Sequence, residues 1–215
     1  MKKITYKGVT FHYHDNYVHP SVLYKHIFLA PGHLYSQADY DKTRAKLNEL
    51  GIFEYLRVVA TDSLGQNNTL RYDILLRKNK KYDFGVNYEI SSGSTYFLGN
   101  SISLNFLDRN FLKGANLLTI GLNGGIELNY NDTVGKTVYD HLNLLTRYYG
   151  INASIDFPKF LAPVASEMFS NSNLPHTIIS GGVNAIDRVD YFTLLNTSAN
   201  FSYNWRESQS KTWNL

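Results

Sequence analysis

Between residues 117 and 130 the chain alternates strictly between two kinds of side chain. Leu118, Ile120, Leu122, Ile126, Leu128 and Tyr130 take the even positions, while Thr119, Gly121, Asn123, Gly125, Glu127 and Asn129 take the odd ones; Gly124 is the only even gap. Side chains on a strand point alternately to opposite faces, so this segment has one apolar side and one polar side. Strands in soluble domains usually stop after about 5 to 6 residues. A two-faced strand this long needs an apolar medium or surface along its whole length.

The pattern recurs. Tyr82, Phe84, Val86, Tyr88 and Ile90 alternate with Asp83, Gly85, Asn87 and Glu89, and Leu98, Ile102, Leu104 and Phe106 with Gly99, Ser101, Ser103 and Asn105. Residues 145–157 set Leu145, Tyr149, Ile151, Ala153, Ile155 and Phe157 against Thr146, Tyr148, Gly150, Asn152, Ser154 and Asp156. Residues 191–205 set Tyr191, Leu195, Ala199, Phe201, Tyr203 and Trp205 against Asn196, Ser198, Asn200, Ser202 and Asn204, and a weaker copy lies at 179–185. These six strands with their loops recur about every 20 residues, whereas a soluble sandwich turns every 8 to 12 or so. Roughly 9 to 11 tilted residues cross a bilayer as a strand, and outer-membrane barrels turn apolar side chains to lipid and polar ones to the lumen. Tyr191, Tyr203 and Trp205 near strand ends fit aromatic girdles. Asn100 and Arg147 fall on the apolar register and are expected near an interface.

Composition agrees with such a surface. Charged residues make up 18% of the chain, below the roughly 25% usual for soluble domains. No window holds the roughly 18 consecutive apolar residues of a membrane helix, and "MKKITYKGVTFHYH" lacks the apolar stretch of a signal peptide. The absence of cysteine excludes disulfides and thiolate metal sites and leaves the redox compartment open. Residues 1–81 carry a net charge of +6 and residues 82–215 one of −3, which suggests two regions with different roles. The basic run "RKNKKY" (Arg77, Lys78, Lys80, Lys81) at their boundary reads as a solvated turn or as a contact with anionic lipid headgroups.

The first region reads as a small α+β unit. Ile4–Tyr13 is β-prone, Pro20 opens a short helix carrying Leu23 and Ile27, and Ser36 with Asp39 caps a second helix whose Tyr40, Leu47 and Leu50 share a face until Gly51. "IFEYLRVVATD", a turn at "LGQNN" and "TLRYDILLRK" complete the order β-α-α-β-β. Within it, "LAPGHLYSQADYDKTRAKLNELGIFEYLRV" resembles the POTRA domain of the BamA/TamA superfamily of outer-membrane assembly and translocation proteins, through its Pro-Gly turn, its Tyr-Ser helix start and its Leu-Gly-Ile-Phe entry to a strand. That match covers roughly residues 4–79.

"LGNSISLNFLDRNFLKGANLLTIGLNGGIEL" is similar to the start of the same superfamily's barrel, in which Arg109, Asn110 and Gly114 match a polar periplasmic turn between the second and third strands. "IDFPKFLAP" and "YFTLLNTSANFSYNW" resemble later segments. The resemblance implies a POTRA-like periplasmic domain over 1–80. After it, 81–215 would be about six antiparallel strands belonging to an outer-membrane barrel of roughly 16. Pro158–Pro175 is longer than the usual periplasmic turn, and the superfamily's Val-Arg-Gly-Phe/Tyr motif is expected beyond residue 215. The implied function is outer-membrane protein assembly, insertion or translocation. Unfolded outer-membrane protein clients would pair by β-augmentation with an edge at Phe53, Tyr55, Leu56, Val58 and Val59. They would enter outer-membrane lipid through a lateral seam at the first barrel strand, Tyr82, Phe84, Val86, Tyr88 and Ile90, with possible periplasmic or lipoprotein helper subunits.

Enzymatic constellations dissolve on inspection. "DFG" at Asp83–Gly85 lies in an alternating strand, and "GKT" at Gly135–Thr137 has Tyr130 where a phosphate loop needs glycine. His12 and His14 share a strand face, and His19, His26 and His33 follow at intervals of seven, with no cysteine or His-Glu-x-x-His helix to make a metal site. No enzyme activity, catalytic residue, cofactor, metal or nucleic acid partner is expected. Two other classes stay open: a two-partner-secretion transporter that passes a soluble client through the barrel, and a soluble β-rich binding protein extractable without detergent. The face assignment is directly testable. Arg at a lipid-facing strand position costs about 2 to 4 kcal/mol at mid-bilayer, so Leu122→Arg should block membrane assembly and Asn123→Arg should not. Heat-modifiable gel migration of the two variants reads the difference, and equal defects would refute the assignment.

Overall fold

The computed structural model describes residues 2–62, 70–130, 141–161, 175–208 and 211–215. Three elements of the sequence reading lie outside the described residues: the turn at 64–68, the Gly135–Thr137 triplet and the interior of the Pro158–Pro175 segment.

The N-terminal stretch is a hairpin rather than one strand. β1 (Lys2–Tyr6) and β2 (Val9–Tyr13) pair antiparallel, with Tyr6 opposite Val9. Between them Lys7 (φ 48°) and Gly8 (φ 82°) both adopt the left-handed conformation of a two-residue type I′ turn. Lys-Gly is a weak turn signal beside Asn-Gly, so a β-prone run concealed the reversal. α1 (Pro20–Lys25) starts with Pro20 in its first turn, and α2 (Gln37–Glu49) is capped by Ser36, whose hydroxyl accepts from the Asp39 amide at 3.2 Å. Gly51 (φ 65°) ends α2 in the left-handed region. β3 (Phe53–Asp62) and β4 (Leu70–Lys78) form a second hairpin.

The expected β-α-α-β-β arrangement of a POTRA domain is therefore not found. The order is β-β-α-α-β-β, and the two hairpins are separate two-stranded sheets with no ladder between them. The helices bridge them. Phe11, Val18, Leu23, Leu47, Leu50 and Ile52 form the buried core, with Tyr6, Tyr17, Leu56 and Leu76 packed around it. Thr43, fully buried on α2, donates to the Asp39 carbonyl at 2.7 Å and accepts from the Phe28 amide at 2.9 Å, tying the loop after α1 to α2.

The second region is one antiparallel sheet of seven strands, not six. β5 (Tyr82–Ser91), β6 (Leu98–Phe111), β7 (Asn116–Tyr130), β8 (Leu142–Phe157), β9 (His176–Arg188) and β10 (Phe192–Ser208) follow in sequence order, and β11 (Lys211–Asn214) turns back along the end of β10. Among the described residues the sheet is open, with β5 at one edge and β11 at the other. β5 starts at the base of this sheet.

The β6–β7 turn joins the two regions. Leu112, Lys113 and Ala115 take left-handed φ values of 56°, 56° and 57°, and Ala115 enters the core of the N-terminal unit. Asn110, 1% exposed, accepts from the Ala115 amide through Oδ1 at 2.9 Å and donates through Nδ2 to the Tyr17 carbonyl at 2.5 Å. The His19 amide donates to the Lys113 carbonyl at 3.1 Å. One buried amide thus shapes the turn and holds the N-terminal unit to it. Leaving a buried polar group unpaired costs about 1 to 3 kcal/mol, so Asn110→Ala should destabilise the junction by about that much. The check is hydrogen exchange at the Ala115 amide, which should lose protection in Asn110→Ala and keep it in the exposed-site control Asn129→Ala.

Candidate functional site

Pairing across the sheet places residues of β5 to β10 in rows, and each row belongs to one face. Val86, Leu104, Leu122, Ile151, Val183 and Thr197 lie opposite one another in turn on the apolar face. The neighbouring row on the other face is Asn87, Ser103, Asn123, Gly150, Asn184 and Asn196. Among the described residues nothing covers the apolar face: Phe84 is 74% exposed, Val86 71% and Ile90 64% on β5, and Leu195 is 67% exposed on β10. Ser103 stands directly opposite Asn123.

Two polar residues on the apolar register find partners there. The Tyr88 hydroxyl donates to Asn100 Oδ1 at 2.8 Å. Arg147 Nε lies 2.6 Å from Asp187 Oδ2, and Thr193 Oγ1 donates to Asp187 Oδ1 at 2.8 Å. Asn100, Ile126, Arg147, Asp187 and Thr193 occupy a single row. The partners went unnoticed in the sequence because Asp187 lies past the recognised end of the weaker run at 179–185, and Thr193, inside the run at 191–205, breaks its apolar register. A bulge also corrects the register of β8. Leu128 pairs with Leu144 and Tyr130 with Leu142, so Leu142 and Leu144 continue the apolar face and Leu145 is the extra residue.

Aromatic side chains gather at the base of the apolar face. Tyr82 stacks on Phe106 at 5.8 Å and Phe84 meets Phe106 at 4.9 Å. Phe160 packs edge-on against Tyr203 and Trp205, and Trp205 stacks on Trp213 at 6.0 Å. The sequence pattern exposed Tyr203 and Trp205, but Phe160 and Trp213 lie outside any alternating run.

On the polar face, glycines form notches filled by neighbouring side chains. A Cβ on Gly125 would lie 2.6 Å from the Asn100 carbonyl oxygen and 2.6 Å from the Tyr148 ring. One on Gly150 would meet Asn123 and Asn184. The face opens into a shallow concavity of about 310 Å³ lined by Asn105, Asn152, Ser154, Ser180, Ser198 and Asn200, with no charged side chain among them.

The residues matched to a periplasmic turn divide. Arg109 and Asn110 belong to β6, Arg109 bonding Asp83 at 3.2 Å, while Gly114 is in the turn, where a Cβ would meet Asn116. The two edges matched to client pairing also differ. Among the described residues β3 pairs with β4 alone, with an irregularity between Phe53 and Tyr55. Val58 is buried, Phe53, Leu56 and Val59 are half-buried, and Tyr55 is exposed, while the Val58 carbonyl already accepts from the Tyr40 hydroxyl at 3.0 Å. Among the described residues β5 pairs with β6 alone, and its side chains from Tyr82 to Ile90 are exposed on both faces. Of the histidines, His26 is half-buried with Nδ1 2.8 Å from the Val22 carbonyl, and burial holds its pKa below the ordinary value. No group of three or more metal-binding side chains occurs among the described residues.

No family model matches the chain, and neither does any curated protein. Among solved structures, one similar chain is that of the crystal structure of BamA from Haemophilus ducreyi lacking POTRA domains 1-3, at 9% identity and a TM-score of 0.40. The alignment covers 90% of this chain and 42% of that one.

The notches are testable without any functional assay. Overpacking typically costs about 1 to 3 kcal/mol, so Gly125→Ala, which presses on a backbone carbonyl, should lower stability by that order. Gly85→Ala, whose Cβ would rest 3.8 Å from Asn105 Cβ, should stay within about 0.5 kcal/mol of the parent. Urea unfolding midpoints of the two variants make the comparison.

Proposed function

We propose that the seven-stranded sheet is part of an outer-membrane β-barrel, with its apolar face to lipid and its polar face to the lumen, and that the N-terminal unit lies in the periplasm. The observation that carries this reading is the uncovered apolar face, continuous from β5 to β10. Soluble monomers rarely expose contiguous apolar patches beyond a few hundred Å² or so. The aromatic clusters at the base and the paired Arg147 and Asp187 support it, because a lone charge on that face would be costly in lipid.

The activity that follows is mechanical rather than enzymatic: assembly, insertion or translocation of outer-membrane proteins. An unpaired backbone group in lipid costs several kcal/mol, so spanning sheets must pair their edges. The open edge of β5 offers a row of such groups, and an unfolded outer-membrane client can satisfy them by adding a strand. Breaking the same pairing releases the client sideways into lipid. A second reading, passage of a soluble client through the lumen as in two-partner secretion, is favoured by the neutral Asn, Ser and Gly wall of the polar face.

Both steps can be tested in a chain that has no competing cysteine. An environment-sensitive fluorophore on Leu122→Cys should shift to the blue in bilayers, and the same label on Asn123→Cys should not; matching spectra would refute the membrane reading. A photo-crosslinking side chain at Tyr88 should capture extended client segments during assembly, whereas one at Ile151, inside the sheet, should not. Equal capture at both positions would refute templating at β5 and leave the lumenal route as the better account.

A further inference from the structure

The base of β5 carries a constellation that strand pairing does not use. Lys81 Nζ lies 2.8 Å from the Tyr82 hydroxyl, 4.6 Å from the centre of its ring and 3.5 Å from Asp108 Oδ2. Tyr82 belongs to the apolar face, where its ring stacks on Phe106, so the ammonium sits at the lower margin of an aromatic ridge formed by the exposed Tyr82 and Phe84 and the half-buried Phe106. The Asp108 side chain is 8% exposed, and its other oxygen accepts from the Asn110 amide at 2.9 Å, so the carboxylate is buried and held by the backbone.

The surrounding charges are asymmetric. At the base of β5 to β7 stand Lys80, Lys81, Arg109 and Lys113 against Asp83 and Asp108. The far ends of the same strands carry Glu89 and Glu127 and no Lys or Arg. Arg109 is held to Asp83 at 3.2 Å, whereas Lys80 is exposed and makes no salt bridge among the described residues. The hydrogen bond to the Tyr82 hydroxyl, with Asp108 nearby, holds the Lys81 pKa above its ordinary value. When Lys81 donates to the Tyr82 oxygen, the hydroxyl proton is left free to donate elsewhere.

We propose that Lys80, Lys81 and the Tyr82 hydroxyl dock the phosphate of an anionic glycerophospholipid whose acyl chain lies along Phe84 and Phe106. The inference rests on the membrane reading above and adds a lipid class and a place. Two ammonium groups and a hydroxyl donor supply the charge and hydrogen bonds that a phosphodiester accepts. The ridge next to them supplies the apolar contact that a soluble anion cannot use. The basic base of the sheet and its acidic far end then face different lipid environments.

Native mass spectrometry of the full chain in micelles doped with phosphatidylglycerol or phosphatidylcholine tests this. Each Lys near an anionic surface contributes on the order of 1 kcal/mol. The Lys80→Gln/Lys81→Gln double variant should therefore retain about thirtyfold less phosphatidylglycerol, with phosphatidylcholine retention unchanged. Lys2→Gln/Lys3→Gln, the same charge change on exposed β1, should bind like the parent, and Lys81→Arg should keep both fold and binding. Tyr82→Phe should weaken retention while leaving the far-ultraviolet spectrum intact. Equal loss in the β1 control would overturn the site, and displacement of the lipid by inorganic phosphate would reassign it to a free anion. Equal loss of phosphatidylcholine would overturn the anionic preference. A chain that enters micelles but fails these comparisons refutes the lipid site alone, whereas one that never enters them refutes the membrane reading as well.

Discussion

Hydrogen bonding across β5 to β11 leaves each side chain of the sheet only two directions to point, and most other features of the molecule are accommodations to that choice. A single slip in register would transfer every leucine of a strand to the asparagine side. The rows from Val86 to Thr197 and from Asn87 to Asn196 show the register held across six strands. Where the sequence breaks step at Leu145, the chain inserts a bulge and keeps Leu144 and Leu142 on the apolar side. Where a charge falls on that side, Arg147 is met by Asp187 on the adjacent strand.

The N-terminal unit depends on the sheet through a narrow contact. Its core is small, and one of its buried members, Ala115, is supplied by the β6–β7 turn. Asn110 shapes that turn and also binds Tyr17, so folding of the turn and seating of the unit are coupled through a single amide. Ion pairs between Lys78 and Asp15 and between Lys81 and Asp108 lie around the contact. The first is exposed and contributes little by itself; geometry at the junction comes from the buried amide.

Period-two alternation made the strands legible, because a strand with two chemically different sides writes its geometry into every second residue. Helix α2 was legible through its cap at Ser36 and its stop at Gly51. The reversal at Lys7 and Gly8 was not, since a type I′ turn needs only two positive φ angles and lysine rarely announces one. That turn splits the first strand, and with it the POTRA-like order fails. Tertiary partnerships were equally hidden. Nothing local marks Asn110 as the residue that reaches Tyr17, or Asp187 as the partner of Arg147, because those contacts join positions far apart in the chain. The candidate edges were legible as strands, but their availability was not: Val58 is occupied by Tyr40, whereas β5 is bare on its outer side.

The glycines of the sheet are distributed unequally between its faces. Gly85, Gly99, Gly121, Gly125, Gly150 and Gly182 fall on the polar side, and only Gly124 and Gly181 on the apolar side. Side-chain volume is therefore removed mainly from one surface of a layer whose two surfaces are bound to the same backbone. Such a layer bends toward its thinner side, as a bimetallic strip does, and here that side is the one that holds the concavity. The sense of curl is thus encoded in where side chains are missing, before any strand meets a partner at the edges.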